Sequence, residues 1–156
     1  MRKNRLIIML SVLCALSLLL MAAALGRDGG AAFAPPPFEP AAWTGTPPEP
    51  SGAAYQMLEA GPFSVGLCGE IRIRDGGAEA CFHNPESNCV WLRLRILGAD
   101  GEVLGQTGLL RPGEYVRAVA MADRAPGTPV TLKVMAYEPD TYHSAGALTL
   151  HMHIAE

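Results

Sequence analysis

Most of the signatures by which enzymes are recognised are missing from this chain. No Gly-x-Ser-x-Gly elbow surrounds Ser64, Ser87 or Ser144, the candidate serine nucleophiles beyond the N-terminal third. A Gly-rich phosphate loop and a His-Glu-x-x-His helix are absent too, which removes the common nucleotide-binding and zinc-hydrolase classes. The carboxylates sit mostly at turns (Asp75, Glu86, Asp100, Asp140), where solvation or turn formation is their ordinary role. An enzyme is therefore not expected, and neither is a cofactor or a metal. Positive charge is scarce: the chain has 12 Lys and Arg against 15 Asp and Glu. Nucleic-acid binding, which needs a basic face, is not expected. Internal repeats are lacking, and no segment after Leu25 carries a helical period.

What is present begins at the N-terminus. Arg2, Lys3 and Arg5 precede an uncharged apolar run from Leu6 to Leu25. Twenty residues at 1.5 Å rise make roughly 30 Å of helix, enough to cross a bilayer's hydrocarbon core. The cations hold the N-terminus in the cytoplasm, so everything after Leu25 is expected outside it. The length favours an uncleaved transmembrane signal-anchor. The Ala22-Ala23-Ala24 cluster also suits signal cleavage, which would leave a secreted chain. Residues 1–25 are thus the anchor or signal segment, and both readings are extracytoplasmic.

Residues 26–53 read as a linker, because seven of the thirteen prolines fall there. Each proline fixes φ and removes a backbone donor, which makes such a stretch an extended, semi-rigid spacer. Phe33, Phe38 and Trp43 are unusual in a spacer, and packing on the following domain is the favoured reading over the membrane interface.

Residues 54–156 are long enough for one modest core. Apolar residues recur with period two, and turn residues punctuate them, so the expectation is all-β. Leu67, Ile71 and Ile73 alternate with Cys68, Arg72 and Arg74, and Asp75-Gly76-Gly77 supplies a hairpin turn. Ala78, Ala80 and Phe82 follow, then the loop Asn84-Pro85-Glu86-Ser87-Asn88. Val90, Leu92, Leu94 and Ile96 alternate with Trp91, Arg93 and Arg95, the clearest strand in the chain. Further strands start after Asp100-Gly101 and Pro112-Gly113, run through Val130, Leu132, Val134 and Ala136, and end with Leu148, Leu150, Met152 and Ile154. About seven short strands with turns at this spacing predict a β-sandwich.

The Asn84–Asn88 loop, the Gly105 to Tyr115 segment with its Pro-Gly turn, and the apolar C-terminal strand resemble small immunoglobulin-like or fibronectin-like sandwiches. Such domains occur in bacterial extracytoplasmic surface proteins. The resemblance spans roughly the last two-thirds of the chain and rests on architecture. It implies an immunoglobulin-like β-sandwich displayed at the cell surface, and the inter-sheet cysteine pair of antibody domains has no counterpart here.

Strand parity then orients the reactive side chains. With Val90, Leu92 and Leu94 facing the core, Cys89, Trp91, Arg93 and Arg95 face outward. If Phe82 pairs with Val90, Cys81 and His83 share that outer face, and alternation adds Cys68. Cys68, Cys81 and Cys89 are accordingly candidates for a disulfide or a thiol cluster. An extracytoplasmic space favours Cys81–Cys89 or Cys68–Cys81, and packed reduced thiols are the plainer alternative. Joined by His83, the three match no standard zinc spacing, as no Cys-x-x-Cys occurs. His151 and His153 share a strand face in a copper-like way, but Met152 points oppositely, so solvated histidines are expected. Lys133, the one lysine of this region, points outward between Leu132 and Val134, so a Lys–Asn cross-link is not expected.

The expectation is thus a membrane-anchored binding or accessory module, with a protein partner and no nucleic acid. Its candidate surface is Trp91, Arg93 and Arg95, or the loop of Tyr137, Asp140, Tyr142 and His143, since aromatic and arginine side chains dominate interface hot spots. The alternative is self-association through a sheet edge, for which the charge-poor strand from Gly146 to Ile154 is the candidate.

Overall fold

The computed structural model describes residues 9, 12–17, 21, 33–48 and 54–156, divided between two units, 1–35 and 36–156. In the first unit residues 12–17 are helical, and the Ser17 hydroxyl donates to the Cys14 carbonyl at 2.9 Å. The expected anchor or signal segment, 1–25, lies largely outside the described residues. Among the described residues no helix is long and apolar enough to cross a membrane.

The second unit is all-β, as the period-two pattern requires. Its strands are β1 (Trp43–Thr44), β2 (Tyr55–Glu59), β3 (Ser64–Cys68), β4 (Arg72–Arg74) and β5 (Gly77–Asn84), then β6 (Trp91–Leu97), β7 (Val103–Gln106), β8 (Glu114–Ala120), β9 (Pro129–Tyr137) and β10 (Ser144–His153). Two antiparallel sheets form. One runs β1-β8-β5-β3-β2, with β4 also on β5; the other runs β10-β9-β6-β7. The core between them holds the residues that alternation selects. Ala78, Ala80 and Phe82 come from β5, Leu92, Leu94 and Ile96 from β6, and Leu132, Val134 and Ala136 from β9; all are fully buried. Each leucine, isoleucine, valine or phenylalanine so buried contributes about 1.5–3 kcal/mol relative to exposure.

Among the described residues ten strands stand where about seven were expected. The run from Leu67 to Arg74 is one apolar alternation but two strands, because the chain bends at Gly69 and Glu70. Both halves pair with β5, at Gly66↔His83 and at Arg72↔Glu79, in registers offset by the bend. At the bend Ile71 reaches the other sheet: its carbonyl accepts from Ala155 N–H at 2.8 Å, beside a bridge to Ile154. The Asp75-Gly76 turn has φ of 50° and 75°, the two positive values that a tight primed turn demands.

Residues 36–48, expected to belong to the spacer, lie on the sandwich. Glu39 N–H donates to the Leu109 carbonyl and Leu109 N–H to that of Pro37, both at 2.9 Å. The Glu39 carboxylate accepts from Gly108 N–H at 2.7 Å, and β1 pairs with β8 at Trp43↔Tyr115. Gly108 permits the approach, since a Cβ there would meet Glu39 backbone nitrogen at 2.6 Å. Proline density leaves spare carbonyls, and a neighbouring loop with free N–H and C=O groups takes them up.

The passage from β5 to β6 crosses between the sheets, and two asparagines hold it. Asn84, wholly buried, donates to the carbonyls of Val90 and Leu110, both at 2.9 Å, and accepts from Asn88 at 2.7 Å. Asn88 in turn accepts from Ser64 N–H at 3.0 Å and donates to the Ser64 carbonyl at 2.7 Å. The loop that looked like an ordinary turn is thus a buried polar clamp between β3, β5 and the start of β6.

Candidate binding face and a tyrosine–histidine–thiol cluster

This crossing corrects one premise about the candidate site. Phe82 pairs with Val116, not Val90, because β5 and β6 belong to different sheets. The single outer face expected from Cys68 to Arg95 is therefore two faces. Cys68, Cys81 and His83 lie on the six-stranded sheet, whereas Trp91, Arg93 and Arg95 lie on the four-stranded one. Cys89 is exposed in the segment before β6. Among the described residues, no three of His, Cys, Asp and Glu are grouped to hold a metal ion.

The outer face of the four-stranded sheet gathers positive charge. Arg95 stands directly opposite Lys133 on β9, and Arg93 precedes it on the same side. Like charges in direct cross-strand register repel. Burial, and then the neighbouring Arg95 charge, hold the Arg93 guanidinium below its ordinary pKa. Arg93 Nε–H donates to the Thr107 carbonyl at 3.0 Å, while Arg95 Nε is buried without a partner among the described residues. Four other arginines are paired: Arg72 with Glu70, Arg74 with Glu79, Arg111 with Glu114 and Arg124 with Glu102. Arg93, Arg95 and Lys133 have no such ion pair among the described residues, in a chain whose net charge is −3.

One end of this face is aromatic. Trp91 packs edge-on against Phe38 at 4.8 Å between centroids and against Tyr142 at 5.2 Å, and it pairs across the strands with Tyr137. The Arg111 guanidinium sits 3.7 Å over the Phe38 ring. Tyr142 and Asp140 have φ of 57° and 65°. A bulky residue in the left-handed region is uncommon. Here the loop bonds Glu138 N–H to the His143 carbonyl at 2.9 Å and Tyr142 N–H to that of Glu138 at 3.0 Å, and these fix it. His143 is exposed, with Nδ1 4.0 Å from the Glu138 carboxylate. The two alternatives for an interaction surface, the Trp91–Arg95 strand face and the Tyr137–His143 loop, are thus contiguous.

The other sheet carries a different constellation. Tyr55 pairs with Cys68, Met57 with Gly66, and Gly66 with His83. The Tyr55 ring leans over Gly66, where any Cβ would collide with it, and its hydroxyl lies 2.6 Å from His83 Nδ1. Burial, then the two thiols, push the Tyr55 pKa up to about 12; burial also lowers that of His83. A protonated hydroxyl thus meets a neutral imidazole, and the same hydroxyl lies 3.2 Å from Met57 Sδ. Cys68 and Cys81 are buried free thiols that neighbour each other through a side-chain hydrogen bond. That bond, then burial, hold Cys68 above its ordinary pKa, and the same bond lowers Cys81. His83 also lines a groove of about 290 Å³ with Thr44, Glu86 and Pro112.

Sequence parity alone did not bring in Tyr55, Phe38 or the Arg95–Lys133 register. The signal for Tyr55 was a tyrosine and a glycine in adjacent charge-poor strands, which is too weak to read without a register. His151 and His153 are exposed on β10, the former 3.1 Å from the Thr131 hydroxyl, and Met152 packs against the core. Comparison with protein-family models, with curated proteins and with solved structures finds no match to this chain.

Proposed function

We propose that this protein is a non-enzymatic binding or accessory module, held outside the cytoplasm by its N-terminal apolar segment, that meets an acidic partner. The carrying observation is the register of Arg95 with Lys133, beside Arg93, three cations with no ion pair among the described residues. Repulsion of this kind costs stability in the free protein, and an anionic surface brought against it relieves that cost. The adjoining Trp91, Tyr137 and Tyr142 supply rigid apolar area of the kind found in hot spots. The strand order supports an immunoglobulin-like module. On this reading β3, β5 and β8 correspond to A, B and E, β10, β9, β6 and β7 to G, F, C and C′, and β1, β2 and β4 are additions.

The test is photo-crosslinking in intact cells, with the cross-linker placed at position 95 or at position 118 on the opposite sheet. Adducts from position 95 that vanish when Arg93 and Lys133 become glutamine are expected. Equal adducts from both positions, or none, would refute the reading.

Self-association is the second reading, and one observation favours it. Strand β10 is an edge of its sheet, ten residues long, and its charges are confined to His151 and His153. Such an edge is a template for another strand. Sedimentation at rising concentration decides: a growing oligomer series supports assembly, and an unchanging monomer removes it.

A further inference from the structure

Antiparallel pairing of Gly66 with His83 sets the register of β3 on β5. Two residues further along each strand stand Cys68 and Cys81, the latter where β5 breaks its register with β8. We propose that Cys68 and Cys81 are the two halves of a disulfide that closes the joint between β3 and β5, made as the sheet assembles and shielded thereafter.

Four observations converge on this pair. The two free thiols are neighbours, linked through a side-chain hydrogen bond. Both are buried, at 2% and 4% exposure, though neither packs in the main hydrophobic cluster. Cys81 has φ of 43° at a break in the β5–β8 register, between Glu79 and Phe82. A side chain in the left-handed region persists where its surroundings hold it. Finally, β3 and β5 share a single register pair, Gly66↔His83, so the ladder at this joint is short and a covalent link there has most to add. Cys89, exposed before β6, has none of these features.

The chemistry is thiol–disulfide exchange. One thiolate attacks a sulfur of an oxidant disulfide, and the S–S bond of the oxidant breaks to release one thiol. The second cysteine then attacks the mixed disulfide and expels the other thiol. Two protons and two electrons leave the cysteine pair, and the oxidant's disulfide becomes two thiols. In the cell the oxidant is an extracytoplasmic thiol–disulfide oxidoreductase, and that part alone rests on the proposed location. Because the finished bond is covered, reduction should require unfolding.

Two experiments separate the pairing from the location. First, the full-length chain is refolded in detergent with oxidised and reduced glutathione, then denatured, alkylated and weighed. A chain two mass units lighter, with a 68–81 linked peptide, Cys14 and Cys89 alkylated and Cys89→Ser behaving alike, is the expected result. Reduction should then lower Tm by about 10 °C or more. No link, or a link through Cys89, overturns the proposal. Second, thiols are trapped by alkylation in living cells. A 68–81 link there supports pairing and location together. A link obtained only in the refolded chain keeps the pairing and overturns the extracytoplasmic location.

Discussion

The Tyr55 hydroxyl lies 2.6 Å from His83 Nδ1 and reaches it across Gly66, the residue of β3 that stands between their strands. Three strands are thereby tied by one side chain, and the tie exists because the middle residue has no side chain to obstruct it. Tyr55→Phe removes the hydrogen bond and leaves a half-buried imidazole nitrogen unpaired, a loss of about 1–2 kcal/mol. Gly66→Ala forces the ring away and should cost about 2–3 kcal/mol. In urea unfolding the two losses should fall well short of adding in the double variant, since both break one contact. Simple additivity would show that the tie contributes nothing.

The same pair sets limits on stability with pH. Burial depresses the His83 pKa below its ordinary 6.5, so below that pH the unfolded chain binds more protons than the folded one. Stability from His83 is thus present above pH 6.5 and lost as pH falls through the depressed value. Tyr55 is raised from 10.0 to about 12, so its contribution is present below pH 10 and lost as pH climbs toward 12. Thermal unfolding from pH 5 to 11 should show a plateau between these limits. His83→Gln should flatten the acid limb, and Tyr55→Phe should make the alkaline limb shallower.

Asn84 is the polar side chain on which the sandwich most depends. It makes three side-chain hydrogen bonds with no exposure to water. Asn84→Ala strands the Val90 carbonyl, leaves the Leu110 carbonyl with only Leu92 N–H, and takes one acceptor from Asn88, at a cost of about 2–4 kcal/mol. Asn88→Ala, nearer the surface, should cost less. Equilibrium denaturation of both variants reads the order, and a reversed order would place the clamp at Asn88.

Phe38 decides whether residues 36–48 stay on the domain. Phe38→Ala removes one edge-on ring contact to Trp91 and the stacked Arg111, together about 1–2.5 kcal/mol. In a Trp43→Phe background, Trp91 emission should shift to longer wavelength as water reaches its ring. An unshifted spectrum would mean that the backbone bonds of Glu39 and Leu109 suffice.

Lys133→Glu tests the proposed face from the side of stability. It replaces a repulsive cross-strand pair with an attractive one and should raise stability by about 0.5–1 kcal/mol, an effect that added salt weakens. The same change should abolish cross-linking from position 95. Greater stability together with lost contact is the pattern of a surface kept for a partner. Unchanged stability would show that Arg95 and Lys133 avoid each other in solution.

Alternation along single strands was legible in the sequence. The side chains of β5, β6 and β9 that face the core, the outward set Trp91, Arg93, Arg95 and Lys133, and the Asp75-Gly76 turn all follow from local rules, because period-two geometry and turn dihedrals involve neighbours in the chain. Which strands share a sheet did not follow. A loop as short as Asn84–Asn88 can close a hairpin or cross between sheets, and the buried bonds of two asparagines decided for the crossing. That choice separated Cys89 from Cys68 and Cys81, set Arg95 against Lys133, and brought Tyr55 to His83. For residues 36–48 prolines dictate an extended chain without dictating what it lies against, and the contact of Phe38 with Trp91 follows the packing that its aromatics suggested. Partners across strands are set by hydrogen-bond register and packing between distant segments, and only the folded chain contains those.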